Sequence, residues 1–184
     1  MRFTTTLVAR AAALCILAAW FYTGGSKPYG YLGLGEVMVF IFFGLVAVIG
    51  TTFVQTESFS LASLYAAIGI GALACAILVA NNLRDIPTDI AAGKRTLAVV
   101  LGDQRTRYLF VLLLGAALVA LVGVVLTTST WALLALVCVI PMGRAGRSVL
   151  SGALGPALVP VLKQTGVIEL LYGLGIFIGC GVHQ

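Results

Sequence analysis

Residues 61–95 read LASLYAAIGIGALACAILVANNLRDIPTDIAAGKR. The first twenty of them carry no charge, and at 1.5 Å per residue a helix of that length covers about 30 Å, the thickness of a bilayer's hydrocarbon core. The fifteen that follow hold five ionisable residues, Arg84, Asp85, Asp89, Lys94 and Arg95, behind the carboxamide pair Asn81 and Asn82. An uncharged span that runs straight into a charged cluster predicts a membrane helix with its chemistry at one end.

The rest of the chain agrees with that reading. Of 184 residues, 61% are hydrophobic and 9% charged, with a mean hydropathy of +1.13, values that belong to an integral membrane protein rather than a soluble domain. Apolar runs at residues 37–54, 61–80 and 108–126 are long enough to cross a membrane. Shorter runs at 7–22, 131–142 and 167–182 bring the expected count to about six, the fifth ending near Pro141. The expected fold class is all-α, a polytopic membrane helix bundle forming one domain over residues 1–184.

Counting the spans in order puts Lys27, Arg84, Lys94, Arg95, Arg105, Arg107, Arg144, Arg147 and Lys163 on one face, nine of the eleven Lys and Arg residues. The positive-inside rule makes that face cytoplasmic. Three larger loops lie there, residues 23–35, 81–107 and 143–166, while residues 55–60 and 127–130 form short outer turns. Within the middle loop, residues 96–101 read as a short interfacial segment stopped by Gly102, with Asp103 placed to cap the next span. The net charge of +5 thus reports topology and anionic lipid, and nucleic acid is not needed as a partner. The expected location is the cell membrane. Cys15, Cys75, Cys138 and Cys180 fall in apolar stretches without metal-ligand spacing, and the single histidine, His183, is penultimate. Neither zinc nor haem is indicated.

The charged cluster has a definite chemical reading. Asp85 and Asp89 are four residues apart, so a helix continuing through them puts both carboxylates on one face. A hard cation such as Mg²⁺ accepts one or two carboxylates and completes its shell with phosphate oxygens and water. Pro87 between them kinks or ends a helix. Lys94 and Arg95 supply donors for diphosphate oxygens, and Arg84 either joins them or neutralises Asp85. The competing reading is a solvated loop whose surface pairs contribute about 0–1 kcal/mol each. Asn81 and Asn82 favour the site, because carboxamides at a membrane edge are costly to bury without partners.

A second patch on the same face, residues 20–31, reads WFYTGGSKPYGY. It fits an aromatic belt with a snorkelling lysine, or a contribution of Lys27 to an anion site with Tyr22 or Tyr29 beside the reacting centre. Phe40, Phe42 and Phe43 either line a tunnel for an isoprenoid or simply pack. Gly30, Gly33 and Gly35 have the look of a phosphate loop, but no strand pattern precedes them. Gly175 and Gly179 match the small-residue pattern of packed membrane helices.

Residues 81–102, NNLRDIPTDIAAGKRTLAVVLG, resemble the second aspartate-rich motif of the UbiA-type intramembrane prenyltransferases, most closely the 1,4-dihydroxy-2-naphthoate polyprenyltransferase branch. Residues 22–36, YTGGSKPYGYLGLGE, are similar to the loop after the fourth helix in that branch. The resemblance implies a nine-helix bundle of which this chain supplies the C-terminal two-thirds, with a cavity open to lipid. It implies that Asp85 and Asp89 ligate Mg²⁺ on the diphosphate of a polyprenyl donor. Lys94, Lys27 and Arg84 then contact diphosphate or the aromatic acid, while Arg95, Asn81, Asn82, Tyr22 and Tyr29 complete substrate binding. The implied reaction prenylates 1,4-dihydroxy-2-naphthoate with loss of diphosphate and CO₂, giving demethylmenaquinone in menaquinone biosynthesis.

One departure matters. The family's first motif, N-D-x-x-D-x-x-x-D, lies upstream of the fourth helix, and here no aspartate precedes Asp85. The expectation is therefore an N-terminally incomplete prenyltransferase that is inactive alone. Two other readings stand beside it, a truncated non-catalytic membrane protein and a transporter subunit. Transport calls for ionisable residues in mid-span, whereas Arg10, Glu36 and Glu169 fall near expected helix ends.

Overall fold

The structure is a computed structural model and describes residues 33–181 together with Ala13, Ile16 and Trp20. The expected span at 7–22 and the patch at 20–31, apart from those three residues, lie outside the described residues. Among the described residues all regular structure is helical, and five helices are long and apolar enough to cross a membrane: α1 Gly35–Thr56, α2 Leu61–Ala91, α4 Asp103–Thr127, α5 Thr130–Leu150 and α6 Gly155–Gly181. A short helix, α3 Leu97–Leu101, lies between α2 and α4.

Helix α2 is the organising element. Its 31 residues make a rod of about 46 Å, longer than the hydrocarbon core by roughly three turns, so the charged end projects beyond the apolar slab. Its start is fixed by Ser60, whose side chain accepts a hydrogen bond from the Ser63 amide at 3.0 Å. Helices α1, α4 and α6 pack around it. The facing stripe of α4, Arg107, Phe110, Leu114, Ala117, Leu121 and Val124, recurs every three or four residues and is buried, as is the opposing stripe Ala72, Leu73, Ala76, Val79, Ala80 and Leu83 of α2.

Small residues set how closely the helices approach. A methyl group on Gly44 would meet Gly71 Cα at 2.7 Å, and one on Gly175 or Gly179 would overlap the backbone of Ala135 or of Trp131 and Ala132. The helix-packing reading of Gly175 and Gly179 therefore holds, with the first half of α5 as the partner. The buried Tyr172 of α6 fills the space left by Gly69 and donates its hydroxyl to the Ala117 carbonyl at 3.0 Å. That bond satisfies a polar tip inside the core.

Five expectations change. The helix ends neither at Ala80 nor at Pro87: α2 runs through both to Ala91, leaving only the Leu83 carbonyl without its usual amide donor. Pro141 does not end α5 either: it stands just past the change from 3₁₀ winding, Thr130–Cys138, to α-helix, Val139–Leu150, and the helix runs on to Leu150. The expected loop at 143–166 is mostly helix, with only residues 151–154 linking α5 to α6. Arg144, Arg147 and Lys163 lie on exposed faces of amphipathic turns whose other side, Ala145, Gly146, Val149, Val161 and Thr165, is buried. The longer α6 also places Glu169 near the middle of a helix rather than at its end. Finally, Gly102 rather than Asp103 occupies the cap of α4. Asp103 instead pairs with the buried Arg107, whose guanidinium also donates to the carbonyls of Val149 and Ala153. This clamp ties the start of α4 to the α5–α6 link.

Candidate functional site

The charged end of α2 is folded back on by its own continuation. After Ala91 the chain turns at Gly93, whose φ of 69° a side chain would strain, and the Lys94 amide donates to the Asp89 carbonyl at 2.9 Å. The turn returns Lys94 Nζ to 3.5 Å from Asp89 Oδ1 and brings the Thr96 hydroxyl to 3.4 Å from Asp89 Oδ2. Asp89 is only 6% exposed, a degree of burial a carboxylate tolerates only with such partners. Asp85, one turn earlier, is half-buried and held by both arms of Arg84, each at 2.7 Å.

The start of α1 closes the site from the other side. Gly33, at a φ of 77°, approaches the Arg95 carbonyl so closely that an added methyl would stand 3.3 Å from it. Three residues on, the buried Glu36 accepts a hydrogen bond from Asn82 Nδ2 at 2.9 Å, and its backbone carbonyl accepts the Cys75 thiol at 3.1 Å. The two segments singled out in the sequence thus meet across one cavity of about 180 Å³, lined by Gly35, Glu36, Leu78, Asn81, Asn82, Asp85, Asp89, Lys94, Thr96 and Leu97.

Five of the expected site residues share this cavity: Asn81, Asn82, Asp85, Asp89 and Lys94. Arg84 reaches it only through Asp85 and lines a larger, mainly apolar cleft on the other flank of α2, with Pro87, Asp103 and Arg107. Arg95 is exposed and is absent from both linings. Lys27, Tyr22 and Tyr29 lie outside the described residues. Of the phenylalanines, Phe40 lies over Gly71 between α1 and α2, and Phe43 faces outward. Glu36 and Thr96 were not anticipated. Glu36 is the one acid in the second recognised segment, a signal that was available.

The donor set suits a hard divalent cation. Two carboxylates one helical turn apart line a cavity that Glu36 also lines, and Mg²⁺ needs no more than one or two carboxylates when phosphate oxygens complete its shell. Among the described residues no three Asp, Glu, His or Cys side chains gather to hold a metal by themselves. A cation here would depend on ligands brought by a substrate or by a further segment.

Comparison with known proteins puts these observations in a family. Residues 2–157 match the UbiA prenyltransferase family model. The chain is 51% identical to the 1,4-dihydroxy-2-naphthoate octaprenyltransferase of Mycobacterium tuberculosis, over 89% of this chain and 56% of that protein. It is 44% identical to the protein of that name from Haemophilus influenzae and 39% to the one from Escherichia coli, in each case over 90% of this chain and 56% of the relative. The chain therefore spans about half the length of the curated relatives it matches. No solved structure matches it.

Proposed function

The chain belongs to the UbiA prenyltransferase family, and on that premise we propose that it carries the diphosphate-binding part of an enzyme transferring a polyprenyl group from polyprenyl diphosphate to 1,4-dihydroxy-2-naphthoate. The observation that carries this reading is the cavity in which Asp85, Asp89 and Lys94 face Glu36 and Asn82 at the membrane edge. The acceptor is taken from the names of the relatives. In the reaction the bond between the allylic carbon and the diphosphate oxygen breaks, its electron pair leaving with diphosphate. The naphthoate ring supplies the pair for the new C–C bond. Its carboxylate leaves as CO₂ and returns a pair to the ring, which gives demethylmenaquinone at the hydroquinone level.

Each residue has a part in this scheme. Asp85 and Asp89 would hold Mg²⁺, and the ion when bound would supply Lewis-acid neutralisation of the leaving group. Lys94 moves from Asp89 onto the diphosphate, and Arg84 buttresses Asp85. Asn81 and Asn82 orient the polar end of a substrate whose isoprenoid tail lies among the apolar helices. By the family resemblance Lys27 contacts the diphosphate or the aromatic acid, and Tyr22, Tyr29 and Arg95 complete substrate binding. The active-site loops face the cytoplasm at the cell membrane.

A prenyl-transfer assay in membranes tests the scheme. Joined behind a segment bearing the family's first acidic motif, the chain should transfer in a Mg²⁺-dependent way. Alone it should insert yet give no measurable product, because Asp85 and Asp89 face no second acidic motif among the described residues. Product formed equally without Mg²⁺ would remove the metal-ligand roles.

A further inference from the structure

The three carboxyl groups of the cavity are not equivalent. Asp85 is paired with Arg84 and Asp89 with Lys94, so two of them meet a cation. Glu36 instead meets a neutral carboxamide: Oε1 accepts from Asn82 Nδ2, while Oε2 is buried and has no hydrogen-bond partner among the described residues. A buried acceptor of this kind is costly unless a ligand supplies the donor.

We infer that Glu36 is a binding residue for the aromatic acceptor, with Oε2 accepting a hydrogen bond from one of its ring hydroxyls. The inference rests on the acceptor class proposed above. Position decides against the diphosphate: the cationic groups that suit it, and that suit the acceptor's own carboxylate, lie beside Asp85 and Asp89 rather than at Glu36. A hydroxyl is neutral and donates one hydrogen bond, which matches one vacant acceptor site. The surroundings hold the carboxyl still. The Cys75 thiol fixes the Glu36 carbonyl, Asn82 fixes Oε1, and Gly33 is seated against Arg95 and Leu97. The aliphatic Leu78 and Leu97 in the same lining offer apolar surface to a ring. Specificity of this type is strong, because an acceptor without the hydroxyl leaves the carboxyl oxygen unpaired.

The test is equilibrium binding of 1,4-dihydroxy-2-naphthoate and of its two monomethyl ethers to the chain in lipid nanodiscs, for the unsubstituted protein, Glu36→Ala and Glu36→Gln. The unsubstituted chain should bind one ether about ten- to a hundredfold more weakly than the diol, the scale of a hydrogen bond to a charged group. Glu36→Ala should lose affinity for the diol by a similar factor and no longer distinguish that ether. Glu36→Gln, which retains the shape and a link to Asn82, should show a reduced distinction and serves as the readout if the alanine variant does not fold. Affinity for Mn²⁺ in the presence of inorganic diphosphate, the Mn²⁺ serving as a paramagnetic stand-in for Mg²⁺, should be unchanged in both. Full discrimination in the variants overturns the inference alone, and so does a loss of Mn²⁺ affinity, which would make Glu36 a cation ligand. No binding of the diol to the unsubstituted chain would take down the acceptor class first and the inference with it.

Discussion

Two aspartates a single turn apart have different surroundings. Asp85 is locked in a two-pronged pair with its neighbour Arg84, whereas Asp89 is buried behind two long contacts, Lys94 at 3.5 Å and Thr96 at 3.4 Å. Long contacts are easily exchanged for better ones, so on the proposed function Asp89 is the carboxylate expected to take a cation more readily. In the chain joined behind a segment bearing the first acidic motif, Asp89→Asn should cut prenyl transfer by about a hundredfold or more, the scale of removing a fixed charge from a leaving-group site. Thr96→Val keeps the volume and removes one hydroxyl, so its effect should be only a few-fold, seen as a higher Mg²⁺ requirement. Equal rates for Asp89→Asn and the unsubstituted protein at limiting Mg²⁺ would dismiss the ligand role. The sequence showed the carboxylates and Lys94 because charge is conspicuous in an apolar chain. It did not show Thr96, one threonine among many, nor Glu36, which became part of the site only when α1 was packed beside Asn82.

Helix boundaries were the part of the fold that hydropathy read least well. The cores of α1, α2 and α4 were legible as uninterrupted apolar runs, but α5 and α6 reach well past theirs because charged residues on an outer face lower the average without breaking a helix. Proline misled twice, since its position within a turn, and not its presence, decides what it costs. Nor did composition foreshadow the π-helical winding of α1 over Phe40–Ile49, which lies where Gly44 meets Gly71. Glycine was read correctly where it is a contact surface, and the contrast can be measured. Gly175→Ala forces a methyl into the Ala135 backbone and should destabilise by about 1–3 kcal/mol. Gly166→Ala, in the same helix with open space around it, should stabilise by about 0.5–1 kcal/mol through helix propensity. Thermal unfolding in detergent should move the two melting temperatures in opposite directions, and a shared direction would mean that α6 does not pack on α5 as described.

The two ends of the bundle are chemically distinct, and packing establishes which turns share an end without reference to charge counting. Arg107 at the start of α4 donates to the Val149 and Ala153 carbonyls of the α5–α6 link, and the cleft beside Arg84 is lined by Pro87, Asp103, Gly152 and Pro156. The end of α2, the start of α4 and the α5–α6 link therefore lie together. At the opposite end, Gly179 near the close of α6 sits on Trp131 at the opening of α5. Basic residues cluster at the first end: Arg84, Lys94, Arg95, Arg105, Arg107 and Arg147 are in or beside these turns, while residues 55–60 and 127–130 carry none. The positive-inside rule predicts that this end is the cytoplasmic one, as proposed above. Single cysteines at the exposed positions Ala92 and Ser151, in a chain whose own cysteines are replaced by serine or alanine, should react with an impermeant maleimide only in inverted vesicles. Cysteines at Ser58 and Thr128, exposed in the other two turns, should react only in intact cells. Reaction of Ala92 from outside would reverse the orientation and put the diphosphate site on the wrong side of the membrane for a donor made in the cytoplasm. Reaction of Ala92 and Ser151 from opposite sides would contradict the Arg107 clamp itself, since one guanidinium cannot reach across a bilayer.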